Sequence, residues 1–578
     1  MRRGVLVLLL AFAAGCSRRA PGADRLLIHP TLEGPPPRAG SLTTGGETRP
    51  ALLASGAFRA RLPPRGLLTF GMGVAVAGAP EDAPGWYRLQ VRADDKVLLE
   101  HTLNPRAARG WRDFSQSLEG LGREAVIAFT IRLTDRHGAD IPWPAGLMLG
   151  VSDPTIHDLD DYGKAEGVLL VSIDTLRRDH VGAYGYGRPT TPRLDALARQ
   201  GILAHDAVSN SSWTLPSHLS MLTSVDPGAH GGVDMNHAFN RRVPTLPALL
   251  RQAGFATQAI TSHLYVSAVY GLDDGFDHLD FHQDRKATDV ANRAMDVLDR
   301  IGDRPFFVFL HFYDPHWHYE PPESTRRLFE APYSGTISGR LQDFSRRDRK
   351  SVSEEDLAHL LALYDGEIRY VDDELGRLLD HLRARGLDRG TLVVVTSDHG
   401  EEFLEHGSWE HQKTLYEEVV RIPLLLAGPR VPARRETSPA SLLDVAPTVL
   451  AWAGVTVPTQ MRGQSLLGPG VSREAYGETD HTIDGTRKLF LRGSEKRWKA
   501  ILSLDPKDAS VRREEWYDLA VDPGESRSTP PPPAVADPAR RLALERWKAA
   551  RGLGAGAPAV VLSPEQRERL RALGYVAP

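Results

Sequence analysis

From about residue 163 the chain alternates two hydrophobic patterns. Short apolar runs are separated by stretches whose apolar residues recur every three or four positions, the periodicities of strands and of amphipathic helices. The runs Gly167 to Ile173, Ala256 to Ile260, Pro305 to Phe312, Thr391 to Thr396 and Ile422 to Ala427 predict strands. Between them, Thr191 to Arg199 predicts a helix with Thr191 as N-cap and Pro192 in its first position. Val243 to Ala253 closed by Gly254, Thr288 to Ile301, and Glu354 to Arg385 closed by Gly386 predict three more. Strands alternating with helices imply a doubly wound, mostly parallel α/β domain over 163–470, with its chemistry beyond the carboxyl ends of the strands.

The flanks read differently. Over 58–162, runs such as Trp86 to Val91 and Val126 to Ile131 lie between Gly, Pro and Asp turns and predict a β-sandwich accessory domain. Residues 17–57 mix Arg, Gly and Pro without apolar periodicity and read as a tether. From 471 to 578, short strands (Lys488 to Leu491, Trp498 to Leu502, Glu515 to Leu519), a Pro-rich break at Pro530 to Pro533 and a helix from Pro564 to Leu573 predict an α+β subdomain with a mobile loop.

Composition narrows the chemistry. With 70 Lys and Arg against 74 Asp and Glu, the formal charge of −4 supplies no field for nucleic acid. A single cysteine, Cys16, excludes intrachain disulfides and leaves the chemistry to carboxylates and 21 His. Arg2 and Arg3 precede an apolar run, Val5 to Ala14, too short to span a bilayer, which ends Ala13-Ala14-Gly15-Cys16. This resembles a bacterial lipoprotein signal, 1–16, and implies lipid on Cys16, an envelope location and membrane attachment through that lipid alone. Ser17 in the next position resembles the context of outer-membrane sorting, facing the periplasm or the exterior.

Asp174, Asp398 and His399 each follow a predicted strand, and oxygen with imidazole donors suits one divalent ion such as Zn, Mn, Mg or Ca. Asp314 and His318 have a spacing that could clip a second. Around Ser211 to His218, Pro216 and the apolar spacing start a helix at or just before Thr214, whose hydroxyl is either a plain cap or a nucleophile at the positive end of the helix dipole.

Together, Ser172-Ile173-Asp174-Thr175-Leu176-Arg177 through Tyr186, Thr214-Leu215-Pro216-Ser217-His218, Asp314-Pro315-His316, Ser397-Asp398-His399-Gly400 and Arg421-Ile422-Pro423 resemble the sulfatase family of the alkaline phosphatase superfamily in the family's order. The resemblance covers roughly 165–470. It implies that Asp174, Asp398 and His399 bind metal, that Thr214 occupies the nucleophile position and that His316 is a substrate-side histidine. His411 falls near the place of an anion-binding Lys in sulfatases and of a metal-binding His in two-metal phosphatases. Thr175, Thr214 and His218 stand where sulfatases carry Asp, a modified Cys or Ser, and Arg; His263 lies near another sulfatase His. The expected activity is metal-dependent hydrolysis of an anionic ester, glycan- or lipid-linked, through Thr214, with phosphate favoured over sulfate and with His316, His411 and Lys413 holding oxygens or protonating the leaving group. Transfer of a phosphorylated head group to an envelope glycan or lipid, and non-catalytic envelope binding on the same fold, are the rival readings; oligomeric state is left open. Cys16→Ala is expected to release the protein into a soluble fraction or to block processing; unchanged membrane fractionation would count against the anchor.

Overall fold

The computed structural model describes residues 23–572 apart from 27–38, 45–46, 77–84, 104–110, 136, 144–146, 159–165, 302–303, 346, 348–349, 481–484 and 496. Cys16 and the run before it lie outside the described residues. The central sheet has at its middle the parallel strands Thr391–Thr396, Gly167–Ile173, Phe306–Phe312, Ala256–Thr261 and His278–Phe281, in that spatial order. Strand 167–173 is buried at every residue, as its uninterrupted apolar run requires of a strand covered on both faces. Helices Ala287–Ile301 and Glu354–Ala384 pack together on one face, and helices Thr214–Thr223, Leu246–Gln252 and Val445–Trp452 pack on the other. This is the mostly parallel, helix-covered α/β fold that the alternation predicts.

Local chemistry sets the boundaries. Ser353 and Asp356 form a reciprocal capping box at the start of the long helix 354–384. Thr245 accepts from the Ala248 N–H and starts the 246–252 helix three residues later than its pattern predicts. The last predicted strand is split, Arg421–Ile422 and Leu424–Ala427 entering different sheets on either side of Pro423, which has no N–H to donate.

The expected tether is corrected. Within 17–57 the strands Ala23–Arg25, Ala39–Thr44 and Glu47–Leu52 belong to the central sheet, and strand 47–52 pairs antiparallel with 278–281 through Leu279–Thr48 and Asp280–Glu47. Its buried positions include Thr48 and Arg49, the latter lying over the Trp111 ring at 4.8 Å, so polar side chains occupy sites where the eye looks for apolar ones. The neighbouring strands Leu147–Asp158, Gly66–Val76 and Arg112–Ser117 extend the same sheet. A four-stranded antiparallel sheet, Gly56–Arg61, Glu124–Thr134, Trp86–Ala93 and Lys96–Leu103, packs against this extension over a core that includes Leu68, Phe70, Tyr87, Ile127 and Phe129. One layer of the N-terminal region is therefore continuous with the α/β sheet rather than a separate module.

The C-terminal region is a four-stranded antiparallel sheet, Ala475–Thr479, Arg487–Arg492, Trp498–Leu504 and Val511–Asp518, followed by helices Pro533–Gly554 and Pro564–Ala572. The Pro-rich segment runs without helix or strand to Pro532 and then enters a helix at Pro533, since Pro is tolerated in a first turn. That helix packs on Pro227–His230 so closely that a Cβ on Gly554 would lie 1.9 Å from the Gly228 carbonyl oxygen. Two buried charge clusters hold this region in place. Lys499 Nζ lies 2.9 Å from both Glu417 and Glu525, and Arg546 makes a two-pronged pair with buried Asp226 at 2.8 and 2.6 Å. In Arg546→Ala, Asp226 keeps only Arg462, at 3.2 Å. Removing one member of a buried pair costs roughly 3–5 kcal/mol; a loss near the lower end is expected in chemical denaturation, and an unchanged midpoint would dismiss the clasp.

Candidate active site

The parallel register brings the ends of three strands together. Asp174 follows strand 167–173 and its N–H donates to the Phe312 carbonyl at 2.8 Å, locking it beside strand 306–312. Asp398 and His399 follow strand 391–396. All three side chains are fully buried, and donor atoms from each lie within 4.8 Å of one another. His399 Nε2 stands 3.2 Å from Asp398 Oδ2 and 3.6 Å from Asp174 Oδ1.

The hydrogen bonds around this cluster fix its protonation. His399 Nδ1 is 2.9 Å from the Gly400 carbonyl, which can only accept, so Nδ1 carries the proton and Nε2 turns its lone pair toward the carboxylates. His311 Nδ1 accepts from the Ser262 N–H, which leaves Nε2–H to donate to Asp174 Oδ2 at 3.2 Å. Asp398 Oδ1 accepts from the N–H groups of His399 and Thr175 at 2.9 and 3.3 Å. Two oxygens remain that accept no hydrogen bond, Asp174 Oδ1 and Asp398 Oδ2, in an interior where an uncompensated carboxylate is costly. Two orphaned carboxylate oxygens beside an aimed imidazole lone pair fit a divalent cation, and Asp174, Asp398 and His399 would hold it.

Titration shows the same tension. Burial and then neighbouring Asp398 push Asp174 well above the usual carboxylate range. Against burial, which acts the other way, His399 draws Asp398 down, and Asp398 in return raises His399 although burial opposes it. Burial pushes His218 and His311 down to about 4, so both are neutral near pH 7.

Thr214 is the first residue of helix 214–223. The residue before it, Trp213, is extended, and no side chain caps the turn, so the plain capping role does not describe the Thr214 hydroxyl. That hydroxyl faces His399 Nε2 at 3.5 Å. One turn on, His218 donates from Nδ1 to the Thr214 carbonyl at 2.8 Å and its Nε2 meets Ser172 Oγ at 3.0 Å, which pins the helix start to strand 167–173.

His316 and His411 join the cluster from loops. The His411 ring centre lies 4.3 Å from that of His399 and 5.0 Å from that of His316, and His316 stacks on Tyr313 at 4.4 Å. Lys413 does not join it. Its ammonium pairs with Glu410 at 2.7 Å and with the Trp409 carbonyl at 3.3 Å, so its charge is engaged beside the short strand Trp409–Glu410. Asp314 and His318 are not brought into a common donor group among the described residues. His318 Nδ1 accepts from the Leu341 N–H at 2.9 Å, and Asp314 is buried with Lys286 3.9 Å away, its carboxyl pushed up to about 6 by burial. Glu402, His406 and Glu418 also cluster, but their atoms are spent on hydrogen bonds with protein groups. His406 donates to Glu418 at 2.6 Å and to the Glu525 carbonyl at 3.3 Å, and Glu402 accepts from Ser408 and Thr414. Sequence reasoning missed His311 and Glu401 as partners of the site. The signal for His311 was its place near the end of a strand whose register pairs it with Ser172, two residues before Asp174.

A strand-end cluster of two carboxylates and an imidazole thus faces a hydroxyl at a helix start on this fold. A family profile described as Sulfatase matches residues 167–455, and the chain belongs to the sulfatase family. It is similar to human N-sulphoglucosamine sulphohydrolase, with 32% identity over 332 residues, 52% of this chain and 64% of that protein. Choline-sulfatase of Rhizobium meliloti shares 26% identity over 57% of this chain and 76% of its own. Phosphonate monoester hydrolase of Agrobacterium radiobacter shares the fold, with a TM-score of 0.53, 20% identity and coverage of 67% of this chain and 96% of its own. So does a protein solved with its substrate D-glucosamine-2-N,6-O-disulfate, with a TM-score of 0.54, 21% identity and coverage of 68% and 98%. The homologues in this family are ester hydrolases, and its enzymes are metal-dependent.

Asp398→Ala should lose bound metal, measured on the purified protein by elemental analysis, because a missing ligand leaves an ion under-coordinated. Metal affinity should also fall as pH is lowered, since raised Asp174 and His399 hold protons that compete with the cation; a pH-independent affinity in equilibrium dialysis would contradict this.

Proposed function

We propose that this chain is a divalent-metal-dependent hydrolase of phosphate esters that uses Thr214 as its nucleophile. The observation that carries the reading is the Thr214 hydroxyl at a helix N-terminus, 3.5 Å from His399 Nε2 beside two orphaned carboxylate oxygens. Zn, Mn, Mg or Ca all suit the oxygen and imidazole donors. A dication held there by Asp174, Asp398 and His399 would lower the pKa of the hydroxyl and neutralise the incoming anion. Thr214 Oγ1 attacks phosphorus while the ester oxygen leaves with a proton, and water then cleaves the Thr–O–P bond to release phosphate and restore the hydroxyl. The start of helix 214–223, with its positive dipole end, receives the non-bridging oxygens.

Phosphate is preferred to sulfate because of what Thr214 is. Sulfatases expel sulfate by collapse of an aldehyde hydrate made from Cys or Ser, and a secondary alcohol has no route to an aldehyde. The substrate class we assign is an anionic glycan- or lipid-linked ester. Thr214→Ala is expected to lose at least ~10³-fold in turnover, about 4 kcal/mol of transition-state stabilisation, with fold and metal retained. Wild-type protein is expected to prefer aryl phosphodiesters or monoesters to the matching aryl sulfate. Robust aryl sulfate turnover with little phosphoester activity would overturn the reading, and product analysis with an alcohol acceptor present separates hydrolysis from transfer.

A further inference from the structure

His411 comes from a loop, and its ring direction needs a cause. The loop is bent on both sides of it, with Glu410 at φ +72° and Gln412 at φ +75°, a left-handed backbone that non-glycine residues hold only where their surroundings impose it. The Gln412 N–H donates to the Ser212 carbonyl at 2.8 Å, which ties this bend to the segment leading into Thr214. Within the loop the fully buried imidazole donates from Nδ1 to Glu401 Oε1 at 3.0 Å. Glu401 is buried in turn. Tyr319 donates to its Oε2 at 3.4 Å, its carbonyl accepts from Arg177 Nη1 at 3.0 Å, and the preceding Gly400 N–H donates to Val419 O at 2.7 Å. Glu401 is thus a rigid acceptor, three residues from Asp398 in the same strand-end turn.

We infer that Glu401 is a positioning residue, which grips His411 by Nδ1 and so fixes the plane of a ring that lies 4.3 Å from His399 and 5.0 Å from His316 at the site Thr214 faces. A planar imidazole has two inequivalent nitrogens, and an acceptor on one decides what the other offers. A lysine in this place would need no such partner, because its ammonium donates in three directions. The inference rests on the phosphoester reading only in taking Thr214 and its neighbours as the reacting site.

The test is a double-mutant cycle on the full-length, metal-loaded protein, with whichever aryl ester the wild type hydrolyses, and with inorganic vanadate binding as a second readout. Glu401→Leu, which fills the volume without an acceptor, is expected to lower kcat by about 10–100-fold and to weaken vanadate binding, with metal content unchanged. Glu401→Gln, which keeps an acceptor oxygen for Nδ1–H, is expected to stay within about threefold of wild type on both readouts. In a His411→Ala background Glu401→Leu is expected to add less than about twofold, because the two residues act as one unit. Equal damage from Gln and Leu, or additive effects in the double variant, would overturn the inference. Glu401→Ala repeats the comparison if the Leu variant melts below wild type. Failure of the phosphoester reading shows separately, in the aryl sulfate preference and in a Thr214→Ala variant that still turns over.

Discussion

Two carboxylates pressed together in a dry interior repel each other and lose their hydration, and that cost organises this molecule. Asp174 and Asp398 are both fully buried, at the ends of adjacent strands whose register leaves them nowhere else to go. The surroundings answer with histidines whose tautomers are set by backbone. His399 turns a lone pair inward because Gly400 takes its other proton, and His311 turns a donor inward because Ser262 fills its acceptor. One oxygen on each carboxylate is left for a cation. The helix that begins at Thr214 aims its positive end into the same space.

The departures from the sulfatase pattern then form one set. Thr175 in place of a carboxylate removes a negative charge from the cluster, and the two carboxylates that remain would be neutralised by one dication. Thr175 contributes through its backbone instead: at a left-handed φ of +55° its N–H donates to Asp398 and its carbonyl oxygen accepts from the Tyr364 hydroxyl. His218 in place of Arg is neutral and spent on Ser172 and the Thr214 carbonyl, so it adds alignment rather than charge.

How much of this could be read from the chain depends on which physics decides each part. The strand ends carrying Asp174, Asp398 and His399 were legible because buried parallel strands appear as uninterrupted apolar runs and their next polar residues stand out. The start of helix 214–223 was legible from Pro216, but whether Thr214 caps it or faces a metal is a tertiary fact. Lys413 looked as suitable as His411, and only the turn at Trp409–Glu410 shows that its ammonium is held by Glu410. Strand 47–52 hid because Thr48 and Arg49 occupy its buried positions, and helix 533–554 hid behind its own prolines. The partners of His311 come from distant segments, and His411 meets Glu401, ten residues before it, only because the intervening loop folds back, which no local pattern encodes.

The seam between strands 47–52 and 278–281 has a consequence for how the chain comes to be made. The N-terminal layers leave the ribosome first, yet the strand that closes one edge of them arrives more than two hundred residues later. Until then the Glu47–Thr48 end of strand 47–52, whose other edge is taken by strand 39–44 and whose far end pairs with strand 147–158, leaves backbone donors and acceptors open, the kind of edge that recruits unrelated strands. Nascent chains therefore pass through a long interval in which an early-formed sheet waits unfinished. A helper that shields exposed strand edges during synthesis would matter more for this protein than for one whose N-terminal domain is sealed within its own sequence.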